Sequence, residues 1–99
     1  MNTLVIERTR AQKVRVTDDE LIVELEDGRV LSVPLAWFPR LLHGTSKERS
    51  HWRLIGDGEG IHWPDLDEDI EVMHLLAGIP SQESPHSLQK WLRNRQRGN

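Results

Sequence analysis

With 99 residues and no cysteine, the chain has the size of one domain with a small hydrophobic core, and it cannot form disulfides or thiolate sites. Its hydrophobic fraction of 36% and charged fraction of 29% argue against intrinsic disorder, and no apolar run approaches the roughly 18 residues of a membrane-spanning helix. The net charge of −3 is unevenly spread, because residues 54–89 contain eight acids and no Lys or Arg, which argues against nucleic acid as the partner of this region.

The first third of the chain predicts three short strands. A strand is expected around Lys13–Thr17. A second is expected over Leu21–Leu25, where Leu21, Val23 and Leu25 alternate with Ile22 and Glu24. Asp27-Gly28 is typical of a hairpin and leads into a third strand, Val30–Val33.

The register of this hairpin depends on the length of its loop. A two-residue loop, Asp27-Gly28, places Leu21 opposite Pro34, whereas a three-residue loop over residues 26–28 pairs Leu21 with Val33 and leaves Gly28 left-handed. The longer loop gives the more continuous apolar face, so we expect that register.

Two short helices are expected next. Pro39 suits the first turn of a helix over Phe38–His43, which Gly44 would end. The sequence Thr45-Ser-Lys-Glu48 fits a capping box for a second helix to about His51.

The middle of the chain predicts a second hairpin. Arg53–Ile55 and Gly60–Trp63 are expected to be strands joined by residues 56–59, whose glycines resemble a phosphate-binding loop only superficially. This turn has no lysine and contains two acids, so we interpret it as a hairpin turn.

A longer helix is then predicted from an Asp65 or Asp67 cap to about Ala77, with Ile70 and Met73 on its apolar side. The sequence Gly78-Ile-Pro80 is expected to end this helix. A last helix is predicted from Ser84-Pro85 to about Arg95, with Leu88, Trp91 and Leu92 on one face.

These elements predict an α+β fold. We expect a small single domain over residues 10–82, in which an N-terminal β-hairpin or short sheet packs against two or three short helices. A C-terminal basic helix or tail would occupy residues 83–99.

Three segments resemble the bacterial family catalogued as domain of unknown function 2442 (DUF2442): LSVPLAWFPRL at 31–41, EGIHWPDLDEDI at 59–70 and LLAG at 75–78. The resemblance covers about residues 10–82 and implies a small α+β domain with a mixed or antiparallel sheet. It also implies stand-alone chains encoded beside another small gene, as in toxin–antitoxin pairs, or fusions to a helix-turn-helix domain. Too few residues follow residue 82 for a helix-turn-helix here.

Several motifs resemble parts of catalytic or metal sites. The acids of Asp65–Asp69 alternate like calcium ligands, but Ile70 and Leu76 stand where an EF-hand needs glycine and glutamate, so we interpret the acids as helix-capping residues. The histidines form no zinc motif, and His62 is expected to face away from a packed Trp63. No nucleophile motif is present, so we predict no cofactor, no metal and no enzymatic activity.

The leading hypothesis is a non-enzymatic protein-interaction module of the cytoplasm, an antitoxin-like or adaptor subunit that binds a small cognate protein. A cytoplasmic location follows from the lack of a signal sequence in residues 1–10, and no membrane partner is expected. The predicted partner-binding residues form the basic C-terminal helix: Lys90, Trp91, Arg93, Arg95 and Arg97.

Three other interpretations of this basic helix stay open. It could serve a nucleic-acid-associated transcriptional regulator, whose binding weakens steeply with salt. It could bind the acidic residues 57–71 of a second copy in a homo-oligomer. It could also be a solvated helix that simply docks through Trp91 and Leu92.

Overall fold

The computed structural model describes residues 9–97, and within them the chain forms two three-stranded antiparallel sheets, four α-helices and two short 3₁₀ helices (Leu35–Trp37 and Gly56–Gly58). The strands are β1 (Ala11–Val16), β2 (Glu20–Leu25), β3 (Val30–Pro34), β4 (Arg53–Ile55), β5 (Gly60–Trp63) and β6 (Glu68–Glu71). The α-helices are α1 (Pro39–Leu42), α2 (Ser46–Ser50), α3 (Val72–Leu76) and α4 (Pro85–Arg97). The predicted α+β fold is confirmed.

The first sheet has the order β1-β2-β3, and its hairpin has the predicted register. Leu21 pairs with Val33, and the amide of Leu25 donates to the carbonyl of Arg29, so residues 26–28 form a three-residue loop. Gly28 has a φ of 97°, a left-handed conformation that glycine adopts without steric cost. Leu21, Val23 and Leu25 of β2 consequently share one buried face, as the register argument required.

The two short helices between the sheets also follow their sequence signals. Pro39 occupies the first turn of α1, where its missing amide costs no hydrogen bond. The hydroxyl of Thr45 accepts from the amide of Glu48, and the Glu48 carboxylate accepts from the amide of Thr45, which completes the capping box of α2.

The second sheet has the order β4-β5-β6, and its third strand corrects the sequence-based prediction. The helix expected from Asp65 or Asp67 to Ala77 is wrong over residues 68–71, which form β6 and pair with β5. Residues 64–67 make a tight turn, and Asp67 adopts a φ of 51° there. This turn reverses the chain, so Glu68 lies opposite Trp63 and continues the sheet instead of starting a helix.

Only the second half of that predicted helix is helical. α3 spans Val72–Leu76, and it buries Val72 and Leu75 rather than the predicted Met73, which is exposed. Ile70 is buried, but it reaches the core from a strand.

The core lies between the two sheets and the short helices. Trp63 is its largest fully buried side chain, and its indole N–H donates to the carbonyl of Arg49 at 3.0 Å. The buried hydrophobic residues all lie between positions 11 and 75: Ala11, Val14, Leu21, Val23, Leu25, Leu35, Phe38, Leu41, Ile61, Trp63, Leu66, Ile70, Val72 and Leu75. Each larger member contributes about 1.5–3 kcal/mol by leaving water.

α4 begins at Pro85, as predicted, and follows this core in sequence. Its expected apolar face is half-buried through Leu88, Trp91 and Leu92. Within residues 9–97, no helix combines the length and the apolar character that crossing a bilayer requires. The prediction that residues 1–10 carry no signal sequence falls almost entirely outside the described residues.

Candidate interaction site around strand β6

The register of the second sheet determines which side chains face outward. Ile55 pairs with Gly60, and Gly60 pairs with Glu71, so these three residues form a row across the sheet. The neighbouring row includes Ile61 and Ile70, which are buried in the core. Because side chains alternate along a strand, the row of Gly60 lies on the outer face.

A first groove crosses this outer face. Gly60 provides its floor, because a β-carbon there would lie 2.9 Å from a side-chain atom of Ile55. The groove has a volume of about 370 Å³. Its lining consists of Ile55, Gly56, Glu59, Gly60, Glu71 and Met73.

A second groove runs along β6 and has a volume of about 310 Å³. All four residues of β6 contribute to it, and residues 79–82 also line it. The remaining lining residues are Phe38 and His74. The two grooves share Glu71, and we call their combined lining the β6 surface.

The β6 surface combines exposed apolar side chains with carboxylates. Within residues 9–97, five large hydrophobic side chains are exposed, and three of them lie on this surface: Ile55 (38%), Met73 (43%) and Ile79 (38%). The charged residues of its lining are Glu59, Glu68, Asp69 and Glu71, with no Lys or Arg. An apolar patch with a polar rim is typical of a protein-binding surface, and this rim favours a cationic partner.

The aspartates that the sequence predicts as helix-capping residues have other contacts. Asp65 pairs with His51 at 2.7 Å, and Asp69 pairs with His62 across the outer face of the sheet. The helix-cap interpretation is therefore wrong, whereas the prediction that His62 faces away from a packed Trp63 is confirmed. Within residues 9–97, no three His, Cys, Asp or Glu side chains are grouped so that they could hold a metal ion.

Arg40 connects three parts of the structure. Its guanidinium donates to both carboxylate oxygens of Glu83 and to the carbonyls of Leu66 and Asp67. The bidentate pair with Arg40 lowers the pKa of Glu83 below its usual range. Arg40 thereby ties α1 to the turn before β6 and to the segment that leads into α4.

Glu68 lies next to this arginine on the core-facing side of β6. Burial raises its pKa to about 7, the charge of Arg40 opposes this shift, and the neighbouring carboxylate of Glu83 adds to it. Glu68 is thus the carboxylate of the β6 surface whose protonation changes near neutral pH.

The predicted partner-binding residues of α4 divide into two groups. The guanidinium groups of Arg40 and Arg95 both lie over the Trp91 ring, at 5.1 Å and 4.7 Å from its centre, and Arg95 also pairs with Glu48 at 2.9 Å. Trp91 and Arg95 therefore dock α4 onto the domain, while Lys90 and Arg93 are exposed. The side chain of Arg97 lies outside the described part of the chain. Partner binding by these five residues stays a prediction.

Sequence reasoning did not identify the β6 surface, although two of its signals were present. The excess of acids in residues 54–89 indicated its charge, and the alternation of polar residues around Ile70 is compatible with a strand. The exposed positions of Ile55, Met73 and Ile79 depend on tertiary packing, so the sequence pattern alone does not reveal them.

Comparison with known proteins identifies relatives without assigning an activity. The model of a family described as "Protein of unknown function (DUF2442)" matches residues 11–81. No curated protein matches the chain. The crystal structure of a protein of unknown function from Rhodospirillum rubrum is similar, with 30% identity, coverage of 76% of this chain and 93% of that chain, and a TM-score of 0.66.

A second solved structure shares the fold alone. It is the solution structure of an uncharacterized protein from Chromobacterium violaceum, with 17% identity, coverage of 82% of this chain and 74% of that chain, and a TM-score of 0.63. Neither structure comes with an assigned function, so the functional argument depends on the geometry of this chain.

Proposed function

The chain belongs to the DUF2442 family, whose function is unknown, and from its own geometry we propose that it is a non-enzymatic protein-interaction module. In this role it binds a small cognate protein as an antitoxin-like or adaptor subunit. The observation that carries the proposal is the β6 surface, where three exposed hydrophobic side chains lie among carboxylates.

The composition of the β6 surface supports a protein partner. Ile55 and Met73 offer apolar contact area in the first groove, whose lining also includes Gly60 and the carboxylate of Glu71. Apolar contacts supply most of the free energy of association, whereas the charged rim determines which partner associates quickly. A partner with an apolar side chain next to Lys or Arg matches both properties.

The nucleic-acid alternative has less support. The β6 surface would repel phosphates, and the guanidinium of Arg95 is already paired with Glu48. Lys90 and Arg93 are the exposed cations among the α4 side chains that the structure describes, and two cations give little affinity for a phosphate backbone.

An affinity pull-down with the tagged full-length chain tests the proposal. We expect one dominant small protein to be captured from a native extract and retained after nuclease treatment, as identified by mass spectrometry. Met73→Lys, which places a charge in the first groove at an exposed position, should reduce capture at least tenfold. Arg93→Glu reverses an exposed charge of α4 and therefore tests the predicted α4 site, and it should leave capture unchanged if the β6 surface binds the partner.

The outcomes separate the hypotheses. Loss of capture in Arg93→Glu but not in Met73→Lys would assign binding to α4 instead of the β6 surface. Loss of all captured material with nuclease would favour the nucleic-acid alternative. Absence of any captured protein would contradict the interaction module itself.

A further inference from the structure

β6 is an edge strand, because the second sheet has the order β4-β5-β6. One side of an edge strand presents backbone N–H and C=O groups that no neighbouring strand uses. On β6 this side borders the second groove, which is lined by all four of its residues and by residues 79–82. The groove therefore gives access to the edge.

The hydrogen-bond pattern identifies the backbone groups at this edge. The amide of Val72 donates to the carbonyl of Glu59, and this contact continues the register in which Glu71 pairs with Gly60. In an antiparallel ladder, hydrogen-bonded and non-hydrogen-bonded pairs alternate, so Glu71 and Asp69 belong to the second kind. Their N–H and C=O groups point away from β5, and none of the turn, loop or cap hydrogen bonds within residues 9–97 uses them.

We propose that the outer edge of β6 binds an extended segment of the partner protein by β-strand addition, and that this segment alternates Lys or Arg with apolar residues. The inference rests on the proposed function and specifies its partner. In strand addition, main-chain hydrogen bonds give affinity and alternate side chains give specificity. Asp69 and Glu71 supply the main-chain groups.

The charges of β6 determine which residues of the partner segment are Lys or Arg. The side chains of Asp69 and Glu71 lie on the outer face, and each is 68% exposed. Residues of the added strand that share this face would lie beside these carboxylates, where opposite charges stabilise a cross-strand pair. His62 and His74 contact the same carboxylates, and the lining of the groove contains no Lys or Arg that could compete.

The inner side of the groove determines which side chains the partner segment carries between its basic residues. The intervening residue of the added strand points toward the side of β6 that carries Ile70 and Glu68, and the lining of the groove also includes Phe38 and the exposed Ile79. An apolar side chain fits there. β6 has four residues and spans about 14 Å, so the pairing segment needs about four residues.

A second copy of this chain fits the edge poorly. If two β6 strands paired with each other, Asp69 and Glu71 would face the same acidic residues of the other copy. Like charges directly opposite each other destabilise a strand pair. The charge of the edge thus favours a basic segment of a different protein.

Selection from a random 12-residue peptide display library on the immobilised full-length chain tests the proposal. We expect the enriched peptides to share the pattern of Lys or Arg, an apolar residue, and Lys or Arg. A selected peptide titrated into isotope-labelled protein should slow hydrogen exchange of the Asp69 and Glu71 amides at least tenfold. Methylation of the peptide's backbone nitrogens should weaken binding at least tenfold at every second position and little at the positions between.

A pair of protein variants locates the binding. Glu71→Lys should weaken peptide binding at least tenfold, whereas Glu26→Lys, an equal charge change at an exposed position of the first hairpin loop, should leave it unchanged. Enrichment of peptides without the basic pattern, equal effects of the two variants, or insensitivity to backbone methylation would overturn strand addition at β6. Dimerisation of the chain through β6, seen by sedimentation, would also overturn it.

The two proposals fail in different ways. If no peptide is enriched but the pull-down still captures a cognate protein, strand addition at β6 is wrong and the interaction module stands. If the pull-down captures nothing, the proposed function fails with the inference that rests on it.

Discussion

Glu68 shows how the register of one strand determines the chemistry of one side chain. The tight turn at residues 64–67 places Glu68 opposite Trp63, on the same side of β6 as Ile70. A carboxylate at this position loses hydration, and Arg40 compensates only in part because it already forms a bidentate pair with Glu83. Glu68 therefore costs stability when it is ionised.

This cost predicts how stability depends on pH. The pKa of Glu68 rises from 4.5 to about 7 on folding. The contribution of the protonated side chain to the free energy of unfolding is therefore complete below pH 4.5 and is lost as the pH rises through 7. Glu68→Gln removes the ionisation. We therefore expect the free energy of unfolding of the variant, relative to that of the wild type, to increase by about 2 kcal/mol from pH 5 to pH 8. Urea unfolding at both pH values measures this difference.

Glu71→Gln is the matched control for this experiment, because it removes a carboxylate from the same strand at an exposed position. Two results would contradict the assignment of the pH dependence to Glu68. The free energy of unfolding of Glu68→Gln relative to the wild type could stay the same at pH 5 and pH 8, or it could change by the same amount as that of Glu71→Gln.

Among the elements, β6 is the one that sequence reasoning assigned to the wrong class. Its acidic residues, followed by Ile70 and Met73 at helical spacing, match the start of an amphipathic helix. A four-residue alternation is too short to be distinguished from such a pattern, and the pairing with β5 that decides the matter is a tertiary contact. The first hairpin was predictable down to its register because Gly28 and one apolar face determine it locally.

α4 is the element held most clearly by a few side chains. Trp91 contacts the guanidinium groups of Arg40 and Arg95, and Arg95 also pairs with Glu48, so removing the charge of Arg95 should loosen the whole helix. We expect Arg95→Met to speed amide exchange in α4 about tenfold, since the ion pair and the cation–π contact together contribute about 1–2 kcal/mol. Hydrogen-exchange mass spectrometry or NMR measures this change.

Arg93→Met is the matched control within α4, because Arg93 is exposed. Exchange in α2 should not change in either variant, since the capping box between Thr45 and Glu48 does not require Arg95. Equal exchange rates for the two variants would mean that Arg95 does not hold the helix in place.

At the scale of the whole molecule, composition and pattern predicted the fold class, five of the six strands and the start of the last helix. They did not predict the β6 surface, because exposed hydrophobic residues such as Met73 and Ile79 have the same sequence signature as core residues. They also could not show that Trp91 and Arg95 contact the domain itself, since a basic helix with a tryptophan is equally typical of a binding segment.

The distribution of buried residues also predicts which part of the chain folds by itself. The buried hydrophobic residues within residues 9–97 end at Leu75, and the family match ends at residue 81, before α4. Truncation after Glu83 keeps the Arg40–Glu83 pair and removes α4 with Trp91. We expect the truncated chain to unfold cooperatively, with a free energy of unfolding about 2 kcal/mol lower, because only half-buried side chains are lost.

Calorimetry measures the cooperativity and the free energy of unfolding of the truncated chain, and the dispersion of an amide NMR spectrum shows whether the chain is folded. Leu75→Ala in the full-length chain is the comparison, because it opens a cavity in the core and should cost about 3 kcal/mol while α4 is retained. A broad, non-cooperative transition for the truncated chain would show that α4 is part of the folding unit. In that case the contacts of Arg40 with Trp91 and of Glu48 with Arg95 would be required for the domain to fold.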